Sequence, residues 1–430
     1  MKLLKTNPRR NRMKSPLLLS LAALVAVLVT ATSLEAQNGV TDWDGIALNT
    51  IVAVGKKNPQ AASVYFAYVA AAMYDAVNCI DGSHTPLFTK SAVPNSTSKD
   101  AAAATAAHDV LTHYFPLQAS TLDSALAASL GSIPDGPDKD QGMELGRFVA
   151  AELITRRASD GVEANITYVP GHGPGIWEPT PPAFPPPVAP WMAQMKPFTF
   201  DDASLFLSTI TSPPALSSPW WALNFNLTKL YGAKNSSARS PEQTEIGLFW
   251  TDHPLVTYSP SFRKLAVDYH LNTAETARLF AMLYVAGADS LIGCMNAKYH
   301  YAFWRPITAI QAGDTDGNNL TAADPAWQPL ATTPGHPEYP AAHGCYTETI
   351  ADILATFFRN QTISYTVHSN VTGTDHTFAD FRALVTEVDA ARIYGGMHYL
   401  HSVWQGNALG HAVADHVLRN YFLPAKQGDD

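Results

Sequence analysis

The segment "TAETARLFAMLYVAGADSLIGCMNAKYHYAFWRP", Thr273 to Pro306, decides the fold. Its apolar residues recur at three- and four-residue spacing, the period of an α-helix, over more than seven turns' worth of chain. Near its end Lys298 and Arg305 stand among aromatic residues. Seven positions apart, they fall about two helical turns apart on one face, and Pro306 then closes the helix. The chain has only 28 Lys+Arg among 430 residues. Two fixed cations in so apolar a segment read either as one wall of an anion pocket or as side chains snorkelling from a helix surface.

The same period runs outward from this segment. Towards the N-terminus it appears in "SVYFAYVAAAMYDAVNCI" (63–80), "DAAAATAAHDVLTHYF" (100–115), "STLDSALAASL" (120–130) and "GMELGRFVAAELITRRASDG" (142–161). It is interrupted by "YVPGHGPGIWEPTPPAFPPPVAPW" (168–191), too rich in proline for helix or central strand. That stretch reads as an ordered crossover pinned by its Trp and Phe side chains. Helical patterning resumes at "SPEQTEIGLFW" (240–250) and continues to "FADFRALVTEVDAARIYGGMHYLHSVWQGNALGHAVADHVLRNYF" (378–422). Only "TISYTVHS" (362–369) suggests a strand. The expectation is an all-α chain: an N-terminal bundle over 37–168, a Pro-rich crossover over 169–199, and a C-terminal bundle over 200–430 that carries the active site. Residues 1–36, basic then apolar and ending at Ala36, have the layout of a secretory signal peptide, which predicts export.

Composition bounds the function. A hydrophobic fraction of 46% with 15% charged residues describes a globular protein, not a disordered or polytopic membrane chain. Removing the six basic residues and one acid of residues 1–36 from totals of 28 and 37 leaves 22 against 36, a net charge of −14. Such a chain has no general attraction for nucleic acid or anionic lipid, so neither is expected as a partner, nor is a membrane span after signal cleavage. An anion site must be a local gathering of scarce cations. Cys79, Cys294 and Cys345 are too few for a disulfide scaffold. An exported protein permits one bridge, Cys294–Cys345; the alternative is three buried thiols.

Two later segments supply what such a gathering needs. In "HPEYPAAHG" (336–344) Pro340 and small residues lead into an apolar-periodic run, a helix entrance whose first N–H groups, Ala342 among them, are free for an anion. His343 in that first turn can move protons, although a satisfied structural histidine is the commoner meaning of one His. In "ARIYGGMHYLHS" (391–402) Gly395-Gly396 lets the chain turn between Arg392 and His398, so that one ends a helix and the other precedes the next. Three cations, two histidines and one helix entrance suit a tetrahedral or trigonal-bipyramidal oxyanion such as phosphate or vanadate. Zinc is disfavoured there, because these histidines lack adjacent carboxylates or thiolates at zinc spacing. His411 and His416 read as surface or packing residues, and His401 as a neighbour of the site.

"KYHYAFWRP" (298–306), "PAAH" (340–343) and "RIYGGMH" (392–398) resemble the three signature motifs of the vanadium-dependent haloperoxidase and type 2 phosphatidic acid phosphatase superfamily. "AMYDAVNCID" (72–81) resembles a helix of its haloperoxidase branch. The resemblance implies vanadate as cofactor, with no haem or nucleotide, and peroxide plus a halide or small organic molecule as substrates; a homodimer is a further expectation. It makes Lys298, Arg305, Arg392 and the Ala342 N–H the holders of the equatorial oxygens. His398 is the metal ligand, His343 the acid/base residue, and Lys298 polarises the peroxide. His336 stands where bromide-oxidising members carry His, which favours bromide or iodide. The departures are Ala341 for Ser, Ala342 for Gly, Ala391 for Ser, and Ser402 where the phosphatases have an Asp. With no carboxylate to orient His398, the resemblance leans towards the peroxidases. The alternatives are an acid phosphatase forming a phospho-histidine, or a non-catalytic oxyanion-binding relative.

Overall fold

The computed structural model describes residues 38–425, which belong to one compact unit; the signal-peptide reading of residues 1–36 lies outside them. Five helices precede the crossover: α1 (Gly39–Leu48), α2 (Pro59–Asp81), α3 (Lys99–Tyr114), α4 (Ala119–Gly131) and α5 (Pro137–Arg157). Eight follow: α6 (Pro219–Tyr231), α7 (Pro241–Phe249), α8 (Pro254–Asp268), α9 (Thr273–Tyr301), α10 (Pro306–Gln311), α11 (Ala342–Phe357), α12 (Phe381–Tyr394) and α13 (Leu400–Asn420). The all-α expectation holds. The exception is a hairpin of β1 (Tyr365–Ser369) and β2 (Thr374–Phe378), antiparallel with Tyr365 opposite Phe378. The first strand is the one that the sequence suggests.

Two helices form the axis of the molecule. α2 starts on Asn58, whose side chain accepts from the Ala61 N–H, with Pro59 at the first position. α9 starts on a reciprocal capping box between Asn272 and Glu275. Each is apolar nearly all round, and helices of that kind sit in the interior. Both are long and apolar enough to cross a bilayer, yet 94% of each apolar window is buried inside the protein, α2 against α9. α3 packs on α5, while α11 lies between α9, α12 and α13.

Buried carboxylates tie the irregular segments to this axis. Asp289 of α9 accepts from the N–H groups of Phe198 and Thr199 at 2.7 and 2.9 Å, fixing the end of the crossover. Arg157 and Asp160 pair at 2.7 Å with both side chains buried, and Arg157 also donates to the carbonyls of Lys196 and Pro197. Of the aromatic pins expected in the crossover, Trp177 and Trp191 are buried but Phe184 faces solvent.

One expectation needs correction. Lys298 and Arg305 do not share a helix. α9 ends at Tyr301, Ala302 adopts the left-handed conformation, and Phe303–Arg305 run extended. The cause lies partly in Pro306, which disfavours helical geometry at Arg305. It lies also in the crossover, where Trp177 N–H donates to Ala302 and Trp304 N–H to Gly175. Of the two readings open for the cysteines, free thiols hold: Cys294 and Cys345 are buried and unbridged, and Cys79 is half-buried.

Candidate active site: a buried cationic pocket

α11 begins at Ala342 with no side-chain cap, because Ala341 at the N-cap has nothing to offer. Its first-turn N–H groups therefore look for an outside acceptor. They face a cavity of about 300 Å³ whose wall includes Ala342, His343, His336, Arg392 and His398. Asn58 and Gln60 of α2, with Pro254 and Leu255 of α8, complete it on the other side.

Arg392 sits in the last turn of α12 and is 2% exposed. One terminal nitrogen donates to the Trp250 carbonyl at 2.8 Å and the other lies 3.3 Å from the Met397 sulfur, while Nε–H has no partner. Burial, then the nearby Arg305, pushes its guanidinium down to about 9. A buried cation with an unmatched donor on a cavity wall is a group arranged for an anion.

His398 follows the turn at Gly395-Gly396. Gly396 holds φ +73°, and a Cβ there would lie 2.5 Å from the Gly232 carbonyl, so this turn requires glycine. The His398 ring is held on both sides: Nδ1 lies 2.8 Å from Glu338 Oε1, and Nε2 lies 3.3 Å from Arg305 Nη1. A carboxylate oxygen only accepts, so Nδ1 carries the proton and Nε2 presents its lone pair. Burial and then Arg305 hold the ring far below the usual imidazole range, so it is neutral.

Glu338 is fully buried and also accepts from the Tyr399 N–H at 3.1 Å, while its second oxygen has no partner. Burial pushes its carboxyl up to about 7. This carboxylate overturns the expectation that His398 has none to orient it. The carboxylate comes from the "HPEYP" loop instead of from position 402, where Ser402 only approaches the Glu338 carbonyl at 3.5 Å. The signal was present as an acid two residues from His336, but an acid in a loop is ordinarily solvated.

Lys298 and Arg305 lie behind the wall and do not line the cavity. Lys298 is fully buried and spends its three donors on the carbonyls of Pro337 (3.0 Å), Glu338 (2.9 Å) and Pro340. Burial lowers its ammonium to about 8. Arg305 donates to the carbonyls of His336 (2.8 Å) and Met397 (2.9 Å), and its Nη2 lies 3.0 Å from His336 Nδ1. Arg305 gives up no proton, so His336 accepts at Nδ1 and bears its own proton on Nε2. Burial, then Lys298 and Arg305, keeps His336 well below the usual range.

His343 is partly exposed and lines the cavity beside Arg392. Burial first, then Arg392, Lys298 and Arg305, hold it neutral. His401 stays out of the cavity; its ring stacks on Tyr339 and reaches the Ser212 carbonyl at 3.1 Å.

These features define a helical-bundle protein with a buried cationic pocket at a helix entrance, faced by a neutral histidine whose Nε2 meets only a long contact from Arg305. Comparison with known proteins agrees. Residues 278–423 match the VCPO second helical-bundle domain. A curated vanadium chloroperoxidase of Curvularia inaequalis is 28% identical over 155 residues, 30% of this chain and a quarter of that protein's length. Among solved structures, a bacterial vanadium-dependent iodoperoxidase superposes with a TM-score of 0.76 at 21% identity, covering 90% of this chain and 97% of that one. A holo-type bacterial vanadium-dependent chloroperoxidase gives 0.70 at 17%, covering 90% and 98%. The resemblance carried by the three motifs is thereby borne out: residues 278–423 form a bundle of the vanadium-chloroperoxidase kind, on a fold shared with bacterial vanadium haloperoxidases.

Proposed function

We propose that the chain is an exported vanadium-dependent haloperoxidase, using hydrogen peroxide to oxidise bromide or iodide. The observation that carries this reading is the convergence on one cavity of three features: the unmatched Arg392 Nε–H, the uncapped first turn of α11, and the His398 ring, whose Nε2 lone pair meets only the long 3.3 Å contact from Arg305. Together they fit vanadate, with oxygens taken by Arg392 and the Ala342 N–H, and the metal by His398. Bound vanadate supplies a Lewis acid that activates peroxide towards a halide.

The protein's own part is electrostatic and positional. Arg305 and Lys298 hold the loop of residues 336–340 and add positive potential from behind, although every Lys298 donor is already engaged by that loop. His343, neutral and on the cavity wall, can take the proton that peroxide loses. Glu338 keeps the His398 proton on Nδ1. His336, proton on Nε2, lines the same cavity and supports the bromide or iodide preference. Export rests on the leader-like residues 1–36.

Glu338 also favours a second reading. A carboxylate-backed histidine that presents its Nε2 lone pair is equipped for attack on phosphorus, His343 then protonating the leaving alcohol. One comparison separates the two. Apo-protein loaded with orthovanadate is assayed for peroxide-dependent bromination of a phenolic dye and for iodide oxidation. Vanadate-free protein is assayed for phosphate-ester hydrolysis. Bromination that needs vanadate and disappears in His398→Ala supports the peroxidase. Hydrolysis that vanadate inhibits replaces it with the phosphatase, and neither activity leaves an oxyanion-binding protein.

A further inference from the structure

Two turns below His343, α11 meets α13 at a second group of polar side chains. Glu348 and Asp352 project from α11, His411 from α13, and each offers a ligand atom within 4.8 Å of the other two. His411 Nδ1 already lies 2.7 Å from Asp352 Oδ2. Arg382 of α12 reaches in, its Nη2 2.6 Å from Glu348 Oε1 and 3.6 Å from Asp352 Oδ1.

The balance of this group is incomplete. Glu348 is only 5% exposed, and its Oε2 is buried with no hydrogen-bond partner. Next to it, Asp389 Oδ1 and Asn407 Oδ1 are likewise buried and unmatched, although Asn407 donates to the other oxygen of Asp389 at 2.7 Å. Acceptors therefore outnumber donors, and the one cation serving them, Arg382, is half-exposed on a flexible side chain. Three buried oxygens without donors are a shortage that hydrogen bonds within the protein do not fill.

We infer that Glu348, Asp352 and His411 form a binding site for a divalent cation of the zinc class, coupling α11 to α13 and separate from the oxyanion pocket. Two carboxylates and one imidazole are a ligand set that such a metal accepts, with water completing the shell. Tetrahedral coordination spaces ligands about 3.3 Å apart, so the ring of His411, which is mostly exposed, turns slightly to open its 2.7 Å contact with Asp352. Arg382 withdraws from Glu348 as the ion enters. The consequence is mechanical. α11 carries His343 in its first turn, and α13 begins two residues after His398, so the ion fastens together the two helices that present both histidines.

The test uses the full chain freed of metal by a chelator, zinc chloride as the probe, and calorimetric titration beside thermal melts. One zinc per chain with a raised Tm is expected for the wild type. In His411→Gln, an exposed position that tolerates the change, that stoichiometric binding is lost while the ligand-free Tm is kept. Arg382→Gln is the sharper arm, since freeing Glu348 Oε1 should tighten zinc binding about tenfold, whereas a mere ion-pair cluster gives no binding to tighten. Absence of 1:1 binding in both the wild type and Arg382→Gln overturns the site, as does full retention of affinity in His411→Gln.

Discussion

Lys298 donates all three of its N–H groups to the carbonyls of Pro337, Glu338 and Pro340, and this changes what its removal should do. Lys298→Met removes the ammonium donor from three buried carbonyls and leaves them only longer contacts such as Ser402 to Glu338 and Cys294 to Pro340; a buried acceptor left unpaired costs about 1–3 kcal/mol. We expect a marked fall in ligand-free Tm. Arg392→Met removes a cation that burial already disfavours and fewer hydrogen bonds. Its ligand-free Tm should move less than that of the lysine variant, while the rise in Tm given by vanadate disappears. Equal ligand-free losses in the two variants would contradict the division of labour. Glu338→Gln tests the third residue. An amide can donate to Nδ1 and shift the proton to Nε2, so vanadate affinity should fall about 10–100-fold, as for other groups that orient a metal-binding histidine. Chain folding, followed by circular dichroism, should persist. The three cations were legible in the sequence because Lys and Arg are scarce in this chain, and the two histidines, among 15, because each stands in a motif with small residues or a cation beside it. Glu338 was not, because only the fold of the 336–340 loop turns an ordinary acid into a buried one.

At the scale of the elements, the site depends on where helices stop. The helical period of Thr273–Trp304 is plain in the sequence, but the true end at Tyr301 is set by the left-handed Ala302 and by pairing with residues 175–177. Neither a non-glycine left-handed residue nor a contact made over a hundred residues away leaves a local trace. The Gly395-Gly396 turn, by contrast, was legible, because glycine pairs advertise unusual backbone. Gly396→Ala would place a Cβ 2.5 Å from the Gly232 carbonyl and 2.9 Å from Pro329 Cβ at a φ of +73°. We expect a loss of about 2 kcal/mol or more in chemical denaturation, with vanadate binding weakened further because His398 follows this turn. Gly406 is a parallel case on α13, where a Cβ would lie 2.5 Å from the Ala341 carbonyl at the α11 entrance. Gly406→Ala should push the two helices apart and reduce binding more than an alanine at the exposed Gly131, where nothing lies within 4 Å.

For the whole molecule, the site is a store of unfavourable charge inside an acidic protein. Lys298, Arg305 and Arg392 are all shifted down by burial, to about 8, 10 and 9, and Glu338 is the one carboxylate among them. His336, His343 and His398 are held well below their usual range by burial and by those cations. A histidine with a depressed folded-state pKa contributes stability above pH 6.5 that is lost as pH falls below it, because the unfolded chain then binds protons that the folded chain refuses. Asp75 and Asp289, raised by burial to about 6, act oppositely: their contribution is full below the ordinary aspartate range and is lost as pH rises towards 6. Between pH 4 and 6.5 the two sets compete, and an oxyanion changes only one of them. Negative charge in the pocket offsets the three cations and eases protonation of His343, while Asp75 and Asp289 lie outside it. At a hundred times its Kd a ligand adds about 2.7 kcal/mol. We therefore expect vanadate or phosphate to raise Tm by a few degrees at pH 7.5, and by more at pH 5.5, where the oxyanion relieves the histidine penalty as well. Melts across that range with and without the anion measure the difference. An increment that stays constant with pH would mean that the bound oxyanion leaves the histidines unaffected, and would remove His343 from its place beside the ligand.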